Sequence, residues 1–235
     1  MVNFDVIKLS QTNCYLLKAE EGYLLIDCGN KYDKQVFLNS IRKRGIVLTD
    51  IRYLFLTHHH NDHCGLLTFL TSANPKIQVI MSKKCATYLK IGTHFRHIHE
   101  HYSNLTLRLI ISTYSRLNKS FSESFEPYVS RSEDILIEGD NDTFLPELGI
   151  NGKILLTLGH TEDSISLITE NAAFVGDATR NMLNFTGSPH QPILLYDLDV
   201  CRKSWHKITC EESNIICPAH GNPFRAEKIK ALLKR

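Results

Sequence analysis

Four histidines and an aspartate occupy six consecutive positions of this chain, within the stretch THHHNDHCG at residues 57–65. Neutral imidazole and carboxylate groups are the ordinary ligands of zinc and of neighbouring divalent metals. His58 and His60 are two positions apart, so both rings can point to the same side of an extended backbone. Asp62 and His63 follow where the chain turns into the next element. These side chains can contribute to a metal site, but four ligands on one loop cannot complete two tetrahedral sites.

Three further metal-competent residues follow predicted strands later in the chain. His160 comes after KILLTLG, Asp177 after AAFVG, and His220 after NIICP. Two cations about 3.5–4 Å apart repel each other unless anionic ligands lie between them, and they lower the pKa of bound water from 15.7 to about 7. The resulting hydroxide can attack a polarised carbonyl or phosphoryl centre. This constellation therefore predicts a metal-dependent hydrolase.

The elements that position these residues form a weak internal repeat. The hairpin YLLKAEEGYLLID ends at Asp27, and a helix and the strand IRYLFL then lead to His58. The hairpin SISLITENAAFVGD ends at Asp177, and a helix over residues 197–211 and the strand NIICP then lead to His220. Two β-β-α-β halves favour two sheets packed face to face with helices outside. Sites in layered α/β folds lie just beyond strand carboxyl ends.

A segment of different character separates the two halves. Residues 83–132 lose the strand pattern, and their apolar residues recur at helical intervals, which predicts two or three helices. The segment from Lys83 to Arg131 carries eight basic residues against three glutamates. A solvated helical surface is the simpler interpretation, and attraction of an anionic substrate is the alternative. A final basic helix is expected over residues 224–235.

The order HxHxDH…His…Asp…His resembles the metallo-β-lactamase superfamily of metallo-hydrolases. The flanking text agrees with it: NCYLL and YLLIDCG near the start, GHTEDSISL around His160, FVGDA around Asp177, and AHG around His220. Only residues 83–132 fall outside the resemblance. It implies an α/β (α+β) fold, namely an αββα four-layer sandwich, here with a helical insertion or lid at about 83–132. We expect one such domain over residues 1–235.

The resemblance also implies a dinuclear site and the role of each ligand. His58, His60 and His160 would hold one metal, Asp62, His63 and His220 the other, and Asp177 would bridge them. Asp62 is in addition the candidate catalytic residue, which would orient the hydroxide and handle its proton. The expected cofactors are two divalent metal ions, with Zn²⁺ as the default and iron or manganese as alternatives.

Several other residues near these motifs are given supporting roles. His59 lies between two ligands and should point the other way, and Asp27 is expected to support a ligand from outside the group or to shape its own turn. His94, His97, His99 and His101 (in THFRHIHEH) are interpreted as a solvated helix rather than a third metal site. His190 and Tyr196 follow Asp177, and a structural role is favoured over substrate binding for each.

Composition limits the location and the partners. The net charge of +2 predicts no nucleic-acid partner, and no apolar run reaches the ~18 residues of a membrane span. The first ten residues, MVNFDVIKLS, do not resemble a secretory signal. Seven cysteines without CxxC spacing indicate reduced thiols, so a cytoplasmic location is expected. They are interpreted as buried small hydrophobes, among which Cys64 lies beside the site. The sequence does not determine the oligomeric state.

The substrate remains open between classes. A carboxylic ester, thioester or lactone is the first hypothesis, because a helical lid with an apolar face suits an acyl group. A phosphodiester is the second, because the insertion is basic. The third is a regulatory or binding protein that keeps the metal fold with little turnover. The sequence after His160 reads TEDS where many lactonases and thioesterases of the superfamily resemble TPGS.

Overall fold

Two β-sheets form the centre of the computed structural model, which describes residues 3–118, 123–211 and 213–234. The first sheet has six strands, in the order β1 (Phe4–Lys8), β2 (Asn13–Lys18), β3 (Tyr23–Ile26), β4 (Ile51–Phe55), β5 (Gln78–Ser82) and β7 (Ile135–Ile137). The second has five, in the order β13 (Phe224–Arg225), β12 (Ile215–Pro218), β10 (Ala172–Gly176), β9 (Ile165–Thr169) and β8 (Gly152–Leu156). A short pair, β6 (His101–Tyr102) with β11 (Leu194–Leu195), lies apart from both.

Eight helices cover the sheets or connect the strands in the described residues. They are α1 (Lys34–Arg42), α2 (Asn61–Cys64), α3 (Leu67–Ala73), α4 (Lys83–Leu89), α5 (Leu105–Leu117), α6 (Phe144–Glu147), α7 (Leu198–Cys210) and α8 (Glu227–Leu233). None of the helices in the described residues is long and apolar enough to cross a membrane.

Three apolar layers separate four layers of structure. One lies between the first sheet and its outer helices, where Phe37 of α1 and Leu70 of α3 pack. The second lies between the sheets, where Phe55 and Phe174 are fully buried. The third lies between the second sheet and α7 with α8, around Trp205. Because successive side chains of a strand point to opposite faces, strands buried on both faces are apolar throughout. The expected αββα sandwich is confirmed.

The two β-β-α-β halves are present. In the first, β2 and β3 form a hairpin and β4 pairs parallel with β3, with Ile26 opposite Phe55. In the second, β9 and β10 form a hairpin and β12 pairs parallel with β10, with Gly176 opposite Pro218. The last strand of each half therefore ends beside the hairpin strand that carries an aspartate. This register brings the polar residues that follow the strands to one edge of the sandwich.

The segment between β5 and β7 differs in part from its prediction. It contains the two helices α4 and α5, and Ser82 caps α4 by accepting a hydrogen bond from the Cys85 amide. The stretch 93–100 is a loop and not the predicted helix. Its amides bond to distant groups instead, since His94 N–H donates to Glu123 O and Phe95 N–H to His59 Nε2. Residues 119–122 of this segment lie outside the described residues.

The end of the chain also departs from its prediction. Residues 224–225 form the edge strand β13, which pairs with β12, and α8 begins only at Glu227. Phe224 is buried in the third apolar layer, so its side chain packs as part of the sheet. The predicted helix is thus shorter by its first three residues, and Arg235 lies outside the described residues.

Candidate metal centre

The histidine-rich stretch continues directly from the carboxyl end of β4. His58 and His60 follow in a short loop, in which His60 has extended backbone, and α2 then begins at Asn61 and carries Asp62 and His63. His58 and His63 are fully buried, and His60 is nearly so. One loop and one short helix thus hold these ligand-type side chains close together.

The later strands bring the remaining three residues to the same place. His160 follows β8, Asp177 follows β10, and His220 follows β12. At Gly176, φ is +51°, and an added Cβ would lie 2.5 Å from Thr57 Oγ1. Only glycine lets the two halves of the fold approach so closely here. This contact sets Asp177 beside the loop that begins at Thr57.

Ligand-type atoms converge in three overlapping groups, and the atoms of each group lie within 4.8 Å of one another. The groups are His58 with His60 and His160, Asp62 with His63 and His220, and His58 with His63 and Asp177. All seven residues predicted from the sequence therefore lie together.

Asp177 lies between the first group (His58, His60 and His160) and the second group (Asp62, His63 and His220). Its Oδ2 is 3.6 Å from His160 Nε2 and 3.3 Å from His220 Nε2, and its Oδ1 is 3.4 Å from His63 Nε2. Asp62 reaches only the second group, with Oδ2 3.4 Å from His220 Nε2. One carboxylate can thus contact both groups, as a bridging ligand must.

The donor atoms suit divalent metal ions. His63 Nε2 and Asp177 Oδ1 are buried and have no hydrogen-bond partner among the described residues. His58 Nε2 and His160 Nε2 face each other at 3.1 Å. Inward-facing imidazole nitrogens and carboxylate oxygens without protein partners are costly unless a cation satisfies them. The set therefore fits a cluster able to bind metal.

Hydrogen bonds from outside the group fix which nitrogen of each ring faces inward. His160 Nδ1 lies 2.7 Å from Leu194 O and His220 Nδ1 3.0 Å from Gln11 O. A carbonyl can only accept, so each Nδ1 carries a proton and donates it outward, which leaves Nε2 as the nitrogen that faces inward. His63 Nδ1 is likewise 2.7 Å from Asp27 Oδ2.

Asp27 lies outside the three groups and contacts one of their rings. Its φ is +56°, and its side chain accepts hydrogen bonds from the Thr57 amide and hydroxyl. The carboxylate is buried and faces the outer nitrogen of His63. It therefore orients a ring of the group without joining it.

The histidines at the two ends of the group differ in the direction of their pKa shifts. Burial, followed by the neighbouring imidazoles, holds the pKa of His58 and of His60 well below the ordinary value. Burial also lowers the pKa of His220, but Asp177 and Asp62 outweigh it and raise the pKa to about 10. The two carboxylates thus make the second half of the group attract positive charge.

His59 points away from its two neighbours, as expected. Its amide and its Nδ1 each lie 2.9 Å from the Asp163 carboxylate. Burial raises the pKa of Asp163, but His59 outweighs it, so the net shift is downward. Asp163 is the third residue of the TEDS motif, so the departure from TPGS has a structural use in this chain.

The sequence interpretation of His94 was wrong. Its ring stacks on His60 with centroids 4.1 Å apart, and its Nε2 accepts a hydrogen bond from the Asn61 amide. Burial, more than any neighbouring charge, lowers its pKa to about 3. A cluster of four histidines in the sequence marked the region, but only the tertiary fold distinguishes His94 from His97, His99 and His101.

A cavity of about 370 Å³ opens over the seven ligand-type residues, which are together called the ligand group below. Its polar wall includes His60, Asp62, Asp177 and His220. Its apolar wall is built by α5 and by the loop after β10, with Ile110, Ile111, Met182, Leu183, Ile193 and Leu194. No lysine or arginine is among the described residues that line it. His190 and Tyr196 do not line it either, and His190 instead stacks on Phe224.

Three basic residues of the insertion form ion pairs away from the cavity. Lys83 pairs with Glu138 at 2.7 Å, Lys84 with Glu162 at 2.9 Å, and Arg131 with Asp134 at 2.9 Å. These pairs lie outside the cavity lining. They agree with the interpretation of a solvated, charged surface.

Comparison with known proteins places this architecture in a family. The family model described as the metallo-beta-lactamase superfamily matches residues 7–220. Among solved structures, an archaeal metallo-beta-lactamase superfamily protein from Sulfolobus tokodaii is similar with a TM-score of 0.68 and 19% identity, over 99% of this chain and 85% of that chain. A metallo-beta-lactamase family protein from Thermus thermophilus gives a TM-score of 0.67 and 16% identity, over 98% of this chain and 79% of that chain.

A metallo-beta-lactamase from Novosphingobium pentaromativorans matches with a TM-score of 0.65 and 19% identity, over 93% of this chain and 73% of that chain. At these identities the likeness shows the fold alone, whereas the family model spans most of the chain. Fold, ligand-type residues and family match agree. The chain belongs to the metallo-beta-lactamase superfamily.

Proposed function

We propose that this chain is a dinuclear metal-dependent hydrolase of carboxylic esters, thioesters or lactones that carry an apolar group. The observation that carries the proposal is the cavity, whose polar wall is the ligand group and whose opposite wall is apolar. A substrate placed there would have its acyl chain against α5 and its carbonyl beside the ligand group.

The ligand assignment follows the three groups of converging atoms. His58, His60 and His160 would hold one ion, and Asp62, His63 and His220 the other, with Asp177 shared. Zinc is the default for such nitrogen-rich sites, and iron or manganese suits the carboxylates as well. When bound, such ions supply Lewis acidity and lower the pKa of a coordinated water to about 7.

The protein contributes orientation and proton transfer. Asp62 lines the cavity, and its Oδ2 lies 3.4 Å from His220 Nε2. Burial raises the pKa of Asp62, but His63 and His220 outweigh it and lower the pKa to about 2. The carboxylate is therefore ionised at neutral pH and can accept a hydrogen bond from the attacking water, which orients that water and draws its proton.

The lining of the cavity favours a carboxylic acyl substrate over a phosphodiester. A phosphodiester carries a full negative charge, and the described lining contains no lysine or arginine to pair with it. An acyl group needs apolar surface, and burying each CH₂ contributes about 0.8 kcal/mol. The apolar wall supplies that surface.

A substrate panel with metal analysis tests the proposal. Protein purified without added metal is measured by elemental analysis, then assayed on p-nitrophenyl hexanoate, a hexanoyl thioester, a hexanoyl-substituted lactone and bis-p-nitrophenyl phosphate. We expect two metal equivalents and turnover of one or more carboxylic substrates. His60→Ala should lose metal and activity, whereas His206→Ala, at an exposed position of α7, should keep both.

Other outcomes separate the alternatives. Turnover of bis-p-nitrophenyl phosphate alone would replace the proposal with a phosphodiesterase. Two equivalents of metal without turnover of any substrate would favour a binding or regulatory protein. Activity that survives exhaustive chelation would exclude a metal-dependent reaction.

A further inference from the structure

Among the described residues of the insertion, His94 is the one whose ring stacks on a ligand-type residue. It lies in the loop 93–100, with its ring against that of His60 at a centroid distance of 4.1 Å and an interplanar angle of 26°. It also lines the cavity. Through this ring the insertion contacts the first group of ligand-type residues.

The hydrogen bond made by His94 fixes its tautomer. The Asn61 amide donates to His94 Nε2 at 2.9 Å. A nitrogen that accepts a hydrogen bond carries a lone pair, so the imidazole is neutral and its single proton is on Nδ1. This bond also satisfies the first amide of α2, whose N-cap residue His60 makes no side-chain cap.

The Nδ1 proton of His94 is not donated to any group of the described residues. No hydrogen bond joins His94 Nδ1 to another described residue, and the atom is not among the buried polar atoms without a partner. The atom is therefore accessible, on a ring that forms part of the cavity wall. A neutral donor at this place is available to a molecule in the cavity.

Two anchors hold the loop that carries this donor. His94 N–H donates to Glu123 O at 3.2 Å, and the next amide, of Phe95, donates to His59 Nε2 at 3.0 Å. His59 is itself held by the buried Asp163. A donor fixed before the ligand arrives costs little reorganisation when it binds.

We propose that His94 is a substrate-binding residue whose Nδ1–H donates a hydrogen bond to an oxygen of the acyl group, on the His60 side of the cavity. The inference rests on the proposed function for the identity of that group. It adds a donor from the insertion that the seven ligand-type residues do not supply. It also explains why the loop 93–100 is tied to His59.

Two substitutions separate the roles of the two ring nitrogens. In His94→Gln, the side-chain amide reaches about as far as Nε2, so it can still accept from the Asn61 amide but lacks the Nδ1 donor. In His94→Asn, the amide reaches about as far as Nδ1, so it keeps a donor toward the cavity but cannot reach Asn61. His99→Gln is the matched control, because His99 is exposed in the same loop and does not line the cavity.

Binding of hexanoate to the zinc-loaded proteins is the measurement, because it is a carboxylate with an apolar tail and needs no turnover. We expect His94→Gln to keep its zinc content and to weaken hexanoate binding about 10- to 100-fold, as loss of a hydrogen bond to a charged group does. His94→Asn should bind hexanoate within a few-fold of the unsubstituted protein but melt at a lower temperature. His99→Gln should change neither property.

Nitrogen-15 NMR of histidine-labelled, zinc-loaded protein gives a test that depends on no variant's folding. The His94 signals should show a protonated Nδ1 and an unprotonated Nε2, and hexanoate should shift Nδ1. A proton on Nε2, a Nδ1 signal unmoved by hexanoate, or unchanged binding in His94→Gln would overturn the inference. Failure of every carboxylic substrate while hexanoate still shifts Nδ1 would instead reject the proposed function and keep the donor.

Discussion

The carboxylate of Asp27 lies 2.7 Å from Nδ1 of His63, and both side chains are buried. Asp27 comes directly after β3, and His63 lies in α2, 36 residues later. This bond leaves Nε2 as the only nitrogen of His63 that can face the ligand group. The first half of the fold therefore orients one of its own ligand-type residues through the aspartate that ends its hairpin.

Replacing Asp27 with asparagine should weaken metal binding without removing a ligand. The amide cannot match the charge of the carboxylate beside Nδ1, so the His63 ring loses basicity and orientation. Loss of such outer partners typically costs 10- to 100-fold in metal affinity. Competition with a chromophoric chelator measures the affinity. Asp142→Asn, at an exposed position, is the control, and equal affinity in both variants would contradict the supporting role.

The metal-free protein should be most stable near neutral pH. The pKa of His58 and of His60 is lowered in the folded protein. The free energy of unfolding therefore falls as the pH drops below about 6.5, because the unfolded chain takes up protons that these two rings do not bind in the folded protein. The pKa of His220 is raised to about 10, so its contribution is complete below pH 6.5 and is lost as the pH rises toward 10. Urea unfolding after chelation, repeated at several pH values, measures both limbs.

A variant and a metal-loaded sample test the alkaline limb. His220→Gln should make it shallower, because glutamine does not titrate. Part of the limb should remain, because burial lowers the pKa of His63 but Asp27 and Asp177 outweigh burial and hold this pKa well above its ordinary value. Zinc should remove the limb from the unsubstituted protein, since a coordinated imidazole no longer takes up a proton. Stability of the metal-free protein that is constant from pH 6.5 to 10 would contradict the raised pKa of His220.

The fold and the ligand group could be predicted because they rest on local signals. Apolar runs identify the central strands, and the ligand-type residues lie in the loops and the short helix that follow four of these strands. The repeat then predicts that Asp27 and Asp177 occupy equivalent positions. The register between the parallel strands then brings these residues to one edge of the sandwich.

The role of His94 could not be predicted, because it depends on contacts across the fold. The four histidines of the stretch THFRHIHEH look alike in the sequence. Only His94 meets the Asn61 amide, and that contact depends on the path of a loop whose amides bond to His59 and Glu123. Phe224 was assigned to a helix for a similar reason, since its pairing as an edge strand with β12 is a tertiary contact.

Removing the charge of Asp163 should loosen the loop that holds His94. Asp163→Asn keeps the size of the side chain but replaces two charge-assisted bonds to His59 with weaker ones. We expect a loss of about 1.5–3 kcal/mol in the free energy of unfolding, the range for hydrogen bonds to charged groups. Hydrogen exchange should increase at the Phe95 amide, which donates to His59 Nε2. Unchanged exchange at Phe95 would show that His59 does not anchor the loop.

The apolar wall should set a preference for longer acyl chains. Each CH₂ buried against it contributes about 0.8 kcal/mol, so kcat/KM for p-nitrophenyl esters should rise by up to about fourfold per carbon from acetate to hexanoate. Ile110→Ser removes apolar surface from the cavity side of α5 and should lower this slope. Leu109→Ser, at a position 68% exposed on the same helix, is the matched control and should leave it unchanged. A slope that is equal in the two variants would place the acyl chain elsewhere.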